Sequence, residues 1–386
     1  MEKIFVKPLK RHGSLWIYQN EILSDITHIN AGSLVKVFEE KTNKIIGTGY
    51  INPQSVIAVR LLSFGDEQIN KNFLRERIQK SHKYREDFLG LKESYRLIFS
   101  ESDFLPGLIV DKYGKCLVIQ ILTAGMERLK DLIVEILDKL LVPEVIILRN
   151  DAQPRVKEGL KVEKMVIKGC VDNLIMTKED DLKFYFDPLH GQKTGFFLDQ
   201  RENRLYLKSL ISSGEGLDLF CYVGAWSIHL AKRGANITGI DSSEKAIEIA
   251  KQNAMLNNVQ DKCRFIKADV FDYLRWEAKK GKKYDFIVVD PPAFVKSRQE
   301  KKDAIEGYVN LNRMALKLLR KNGILATSSC SQHISETDFL EIIKKTFKAS
   351  KKTGILLYKG TQSKDHPILL TMPETSYLKC LMLRVF

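Results

Sequence analysis

The sequence predicts an α/β protein: a small β-barrel, then a central α+β domain, then a parallel, doubly wound sheet. Three observations carry this. From about Gly214 onward, short apolar strands alternate with segments of helical period, the mark of repeated βαβ units. Residues 1–70 instead hold short alternating runs divided by turns. At 386 residues the chain exceeds one ordinary core, and about 150 residues per domain gives two to three domains. The boundaries are drawn as 1–70, 71–186 and 187–386, the second near Asp187-Pro188.

The first segment is read as strands over Ser33–Phe38, Ile45–Tyr50 and Ser55–Leu62, broken by a charged turn at Glu39 to Lys44 and by Asn52-Pro53. Phe73, Leu74, Ile78, Tyr84 and Phe88 share one face of a helix running from Asn72 to about Leu89. Strands follow near Leu97–Phe99, Gly107–Val110 and Cys116–Ile121, then a helix from Met126 to Leu141 and a strand at Val145–Leu148. Further strands run through Val162–Lys168 and Lys183–Phe186. In the last domain the strands are Gly216–Phe220, Asn236–Ile240, Cys263–Ile266, Phe286–Val289 and Ile324–Thr327, with helices starting near Gly224, Ser243, Val270 and Ala304. Leu378 to Phe386 reads as a late addition to the sheet.

Composition narrows the class. Apolar and charged fractions of 44% and 28% are those of a soluble globular chain, and a net charge of +14 favours a polyanionic partner. The N-terminus has no uninterrupted apolar stretch of the signal-peptide kind, and no run approaches the roughly 18 residues of a membrane span. Six scattered cysteines form no C-x-x-C pair, which argues against zinc or a disulfide framework and for a reducing cytoplasm.

In an open α/β sheet, ligands bind beyond the carboxyl ends of the strands at the switch point. Asp218, Asp241 and Asp269 each fall at such an end. Asp218 opens Asp218-Leu219-Phe220-Cys221-Tyr222-Val223-Gly224, where Gly224 lets backbone approach a ligand. Asp241, followed by Ser242, stands about twenty residues on, where a carboxylate accepts from ribose hydroxyls. Asp269 is placed to accept from an adenine amino group. The turn has neither G-x-G-x-x-G nor a lysine, so a pyrophosphate fits poorly. An adenosine carrier without phosphate, S-adenosylmethionine, fits better.

The remaining motif is Asp290-Pro291-Pro292-Ala293-Phe294 after the apolar run Phe286–Val289. Its prolines stiffen the loop and remove two backbone donors, which suits aiming Asp290, Pro291, Pro292 and Phe294 at a planar base. Cys330 ends the next apolar run. A thiolate added at C6 of cytosine makes C5 enamine-like and able to take a methyl group; loss of the C5 proton and elimination then release the product. Asp290 would hold the pyrimidine edge. His333, three residues past Cys330, would raise the thiolate fraction or take the C5 proton, and Lys296 and Arg298 would grip phosphate.

With these residues in view, the chain resembles the PUA-containing class I large-subunit 23S rRNA (cytosine-5) methyltransferases of the RlmI type. Gly47-Thr48-Gly49-Tyr50-Ile51-Asn52-Pro53 through Val59-Arg60-Leu61-Leu62 is similar to their PUA domain. Glu101-Ser102-Asp103-Phe104-Leu105-Pro106-Gly107 is similar to their central domain. Gly191-Gln192-Lys193-Thr194-Gly195-Phe196-Phe197-Leu198-Asp199-Gln200-Arg201 is the most specific match, and Pro373-Glu374-Thr375-Ser376-Tyr377-Leu378-Lys379 matches the C-terminal end. The resemblance implies a Rossmann-like class I methyltransferase sheet and Cys330 as nucleophile. It also implies S-adenosylmethionine held near Lys193, Phe196, Gln200, Arg201, Asp218, Asp241 and Asp269. Other RNA C5-methyltransferases carry a second cysteine after the Asp-Pro pair; Ala293 and Phe294 stand there instead, so product release needs another base. The partner implied is 23S rRNA, naked or in an assembling particle, with no membrane and with a homodimer left open. Two alternatives stand beside this reading: methylation of a guanine or adenine nitrogen on the same fold, and a non-catalytic rRNA-binding assembly factor.

Overall fold

A computed structural model describes residues 1–171, 173–294 and 301–386. They pack into two compact units. The first comprises 1–177, 187–198 and 364–375, and the second 178–186, 199–363 and 376–386.

In the first unit, β1 (Glu2–Val6), β2 (Trp16–Ile17), β3 (Ser33–Glu39), β4 (Ile45–Ile51) and β5 (Val59–Phe64) form a five-stranded sheet in the order β1-β3-β4-β5-β2. Val35 and Val37 point to one face of β3 and are fully buried, as period-2 alternation requires. Helix α1 (Lys71–Lys83) starts where the Asn70 side chain accepts from Phe73 N at 3.0 Å. The helix expected as far as Leu89 passes into a π turn over Tyr84–Phe88. The second sheet takes the order β10-β9-β8-β7-β6 from β6 (Ser94–Phe99), β7 (Leu108–Tyr113), β8 (Cys116–Ile121), β9 (Val145–Asn150) and β10 (Glu163–Lys168). The single helix expected over 126–141 is two, α2 (Ala124–Arg128) and α3 (Lys130–Leu141), because Leu129 leaves the helical region at φ −94, ψ 0. A short α4 (Gln153–Lys157) follows β9.

The expected boundary at residue 70 is not a break in packing. Tyr50 of β4 is fully buried, and its hydroxyl donates to Pro106 O at 2.6 Å. Its ring lies so close to Gly125 that any Cβ there would overlap it. Glu158 accepts from Asn52 (2.9 Å) and Ser55 (2.9 Å) and pairs with Arg60 (2.9 Å). Residues 364–375 also belong to this unit, because Asp365 accepts from Arg96 N through Oδ2 (2.8 Å) and from Arg85 through its carbonyl (2.8 Å).

Residues 178–186, from the end of β11 (Ile175–Glu179) through its hairpin partner β12 (Leu182–Phe186), open the second unit. Its main sheet contains β13 (Glu215–Leu219), β14 (Asn236–Asp241), β15 (Cys263–Lys267), β16 (Tyr284–Val289), β17 (Leu319–Ser329), β18 (Gly354–Gly360) and β19 (Lys379–Val385). Their order is β15-β14-β13-β16-β17-β19-β18. The pairs from β15 through β17 are parallel, whereas β19 lies antiparallel between β17 and β18. The helices are α5 (Arg201–Leu210), α6 (Ala225–Ala231), α7 (Glu244–Leu256), α8 (Val270–Lys279), α9 (Lys301–Leu318) and α10 (Glu336–Ala349). The order in which successive strands are laid down reverses at β13, so the carboxyl ends of β13, β14 and β16 frame the switch point. Across the expected boundary at 186/187 the chain alternates between units, 178–186 packing with the second and 187–198 with the first: Asn253 of α7 bonds both backbone groups of Tyr185 (2.6 and 3.0 Å), and Asn257 does the same to Lys183 (3.0 and 2.6 Å). Among the described residues no helix is long and apolar enough to cross a membrane.

One buried ionic cluster joins the hairpin to two helices. Glu179 accepts from Arg204 Nε of α5 at 2.7 Å, and its Oε2 lies 2.5 Å from Arg204 Nη2. His229 Nε2 of α6 lies 3.0 Å from its Oε1, and the Glu179 side chain has no solvent exposure. Burial alone would raise the Glu179 pKa, but the Arg204 guanidinium and the His229 contact outweigh it and hold the carboxyl well below its usual range. Glu179→Gln leaves the Arg204 charge buried beside a neutral amide. It should destabilise the protein by about 3–5 kcal/mol in urea unfolding. A loss below about 1 kcal/mol would show that the cluster does not hold these elements together.

Candidate active site

The turn after β13 is strained where a ligand would meet it. Phe220 (φ 64), Tyr222 (φ 48) and Gly224 (φ 82) all take left-handed conformations within five residues. For the two aromatic residues this costs about 1–2 kcal/mol each. Two carboxylates hold the turn. Asp218, fully buried, accepts through Oδ2 from Ser227 N (3.1 Å) and Ser227 Oγ (2.6 Å) of α6. Asp241, at the end of β14, accepts from Tyr222 N (2.9 Å) through Oδ2 and from Ser243 N (2.9 Å) through Oδ1. Ser243 in turn caps α7, accepting from Ala246 N.

Asp290 follows β16, the strand next to β13. Its Oδ1 accepts from Gln200 Nε2 (2.9 Å) and its Oδ2 from the Trp226 indole (3.1 Å). Gln200 immediately precedes α5, and Trp226 lies in the first turn of α6. Burial raises the Asp290 carboxyl to about 6, with Asp199 adding to the rise and the Trp226 and Gln200 hydrogen bonds opposing it. Burial likewise raises Asp218 to about 7, against its Ser227 bonds and with help from the Asp290 and Asp241 charges. The crevice of this basic protein is therefore crowded with mutually repelling carboxylates.

Cys330 follows β17 directly, half-buried, with its Sγ 3.9 Å from the carbonyl oxygen of Pro291. The Asp-Pro-Pro loop and the thiol are thus in contact. Ser329 and Ser331 on either side both bond the Tyr308 hydroxyl of α9, at 2.9 and 3.1 Å. Lys379 of β19, opposite Ser329 in register, donates to Ser331 O (2.7 Å) and Tyr377 O (2.8 Å).

The other expected residues lie as follows. Phe294 is half-buried, its ring 4.7 Å from the Tyr308 ring, and packs against the sheet core. Asp269 caps α8, accepting from Asp272 N at 3.0 Å, and is otherwise exposed, as is Ser242. Arg201 is buried, its Nε 3.7 Å from Glu179 Oε2 in the ionic cluster. Pro291 is buried and Pro292 exposed. His333 is half-buried in the turn past Cys330 and makes no hydrogen bond among the described residues. Lys193, exposed at φ 51, and Phe196, buried with its carbonyl accepting from Tyr113, belong to the first unit. Lys296 and Arg298 lie outside the described residues. Sequence reasoning passed over Trp226, Tyr308 and Lys379; the Tyr377-Leu378-Lys379 run was noted only as a family match.

The raised carboxyls have a stability consequence. A group whose pKa rises on folding favours the folded state below its unfolded value, about 3.9 for Asp, and loses that contribution as pH climbs through the folded value. Asp218 and Asp290 should therefore make the ligand-free protein less stable between about pH 4 and pH 7. Asp218→Asn keeps the shape and removes one titration. Denaturant unfolding should show a shallower decline in this variant, by roughly 1.4 kcal/mol for each unit of the lost shift. Parallel declines in the two proteins would place the titration elsewhere.

Comparison with known proteins completes the description. Residues 212–370 match the methyltransferase domain family and residues 5–64 the PUA-like domain family. A Methanocaldococcus jannaschii protein described as a ribosomal RNA large subunit methyltransferase is 39% identical over 378 residues, covering 97% of this chain and 95% of that one. Ribosomal RNA large subunit methyltransferase I of Escherichia coli is 34% identical over 384 residues, covering 98% and 96%. In fold, the chain is similar over its whole length and that of its counterpart to SMU.776, a methyltransferase complexed with SAH, with a TM-score of 0.85 at 22% identity. With a PUA-like segment ahead of a Rossmann-like methyltransferase sheet and near-full-length identity above 30%, the chain belongs to the S-adenosylmethionine-dependent ribosomal RNA large subunit methyltransferase I family.

Proposed function

We propose that this protein methylates C5 of a cytosine in 23S ribosomal RNA, with Cys330 adding to C6 of the base. The observation that carries this reading is the contact of Cys330 Sγ with the Pro291 carbonyl of the Asp-Pro-Pro loop. This contact holds a thiol against the loop that begins with Asp290, and a nitrogen methyltransferase needs no thiol there. When bound, S-adenosylmethionine supplies an electrophilic methyl group. The residues present fit it: its sulfonium charge would relieve the repulsion among Asp218, Asp241 and Asp290, and the Asp241 carboxylate retains lone pairs toward a ribose diol. Gln200 and Trp226 fix the Asp290 carboxylate in one orientation, from which it would bond N3 or the 4-amino group of cytosine. The Cys330 thiolate bonds C6, C5 gains the methyl, the C5 proton leaves to a base, and the C6–S bond breaks to return the thiolate. A cytosine within a helix hides its C6 face, so the target would be looped or flipped out at a cost of a few kcal/mol.

RNA bearing 5-fluorocytosine at the target separates the chemistry from its alternatives. Fluorine cannot leave as a proton does, so wild type should form a denaturant-stable complex on gels after methyl transfer, and Cys330→Ala none. Full methylation by Cys330→Ala would remove the C5 assignment and favour nitrogen methylation.

Asp241 is tested apart from turnover. Asp241→Ala should weaken S-adenosylmethionine binding by roughly 1.5–3 kcal/mol in calorimetry, the scale of a hydrogen bond to a charged group. Because Asp241 also holds Tyr222 N, Asp241→Asn, which keeps one acceptor, should fall between the two. Equal affinity in all three proteins would remove Asp241 from the site.

A further inference from the structure

Lys379 is an amine in an unusual place. It is 7% exposed, and the antiparallel pairing of β17 with β19 sets its Cα opposite Ser329, the residue before Cys330. Its Nζ reaches to the residue after Cys330, donating to Ser331 O at 2.7 Å, with a second bond to Tyr377 O at 2.8 Å. No carboxylate lies within ion-pairing distance of it among the described residues. Asp338 of α10, the nearest to matter, already pairs with Lys301 at 2.8 Å. Two carbonyls hydrogen-bond an ammonium without cancelling its charge, and an uncompensated buried charge is costly. The anion available to it is the Cys330 thiolate.

We propose that Lys379 is the proton partner of Cys330, taking the thiol proton and remaining beside the thiolate as an ammonium. The step balances: the S–H bond breaks, its electron pair stays on sulfur, an N–H bond forms on Nζ, and no net charge enters the site. The proposal rests on Cys330 being the nucleophile, and within it Lys379 is a positioning residue that acts through the thiol. Burial pulls the Lys379 ammonium down to about 8, with Cys330 the leading group that pulls it back up. An ordinary thiol titrates near about 8.5, so the proton passes between the two at little cost. The other titratable groups around the pair are Tyr308, bonded to Ser329 and Ser331, Asp338 with Lys301, Asp290 at the end of β16, and His333 in the following turn.

The test reads thiol ionisation, not methylation. Full-length protein without cofactor is alkylated with iodoacetamide from about pH 5.5 to 9.5, and each cysteine peptide is followed by mass spectrometry. Exposed Cys170 serves as the internal reference. Cys330 should titrate about one unit below Cys170, which is roughly tenfold more thiolate at neutral pH. Lys379→Met should move the Cys330 profile up by about that unit, and Lys379→Arg should restore most of it by keeping a cation. A merely structural lysine would leave the profile where it is. Should Lys379→Met fail to fold, judged by lost S-adenosylmethionine binding, the wild-type profile alone decides. Coincident titration of Cys330 and Cys170 in wild type, or an unmoved profile in folded Lys379→Met, overturns the proposal. The C5 reading is judged separately: a normal fluorocytosine trap with an unmoved thiol removes Lys379 and keeps the chemistry, whereas a lowered thiol with no trap removes the chemistry.

Discussion

Glu179 is charged with no water to solvate it, and the helices that neutralise it are the ones that build the crevice. Arg204 on α5 and His229 on α6 contact its two oxygens. One turn earlier on the same helices, Gln200 and Trp226 grip the two oxygens of Asp290. Two carboxylates, one structural and one at the strand end, are thus clamped by the same pair of helices. The spacing is what helical geometry demands: Gln200 and Arg204 are four apart, Trp226 and His229 three apart, so each pair shares a face. A buried ion cluster of this kind adds little net stability over an apolar one, because desolvation offsets attraction. What it supplies is a single allowed arrangement of α5 against α6, and hence a single orientation of Asp290.

Electrostatics divides the protein in a way its net charge conceals. At +14 the chain as a whole attracts a polyanion, while the crevice concentrates Asp218, Asp241 and Asp290. These opposite fields suit the two reactants. A nucleic acid is drawn by the overall charge, and a cationic sulfonium by the local one. Burial first, and the neighbouring carboxylates second, raise the pKa values of Asp218 and Asp290.

How much of this was legible in the sequence follows from which residues are buried. The parallel strands were readable because they are continuous apolar runs, as strands covered on both faces must be. Helix α5 was not, because its buried face is Arg201, Asn203, Arg204 and Leu207; a polar interior carries no apolar period. Helix α6 was read from its start near Gly224, although it is buried all round from Ala225 to Ala231 and lacks the contrast that marks an amphipathic helix. Cys330 and Asp290 were singled out because strand ends on this fold are predictable positions. The packing of Phe294 was not legible, because an aromatic beside two prolines looks the same in sequence whether or not its ring also meets, as here, Tyr308. Strand β18 was missed as an exposed edge strand whose Ile355 and Leu356 are left uncovered.

The last strand shows why the far end of the chain matters to a site set by its middle. By entering antiparallel between β17 and β18, β19 carries Lys379 back toward the carboxyl end of β17, where the thiol is. A parallel strand there would have presented its own carboxyl end, and the residues preceding it would lie at the opposite edge of the sheet. The same reversal brings Tyr377 to donate to Asp199 at 2.6 Å, beside the Gln200 that holds Asp290. One C-terminal turn therefore touches both halves of the site, through Tyr377 on the carboxylate side and Lys379 on the thiol side. Their separation of two residues matters: on an extended chain it spans roughly 7 Å, so any shift in the β17–β19 register would displace both contacts together. The pairing of Ser329 with Lys379 therefore fixes where Lys379 stands relative to the cysteine that follows Ser329.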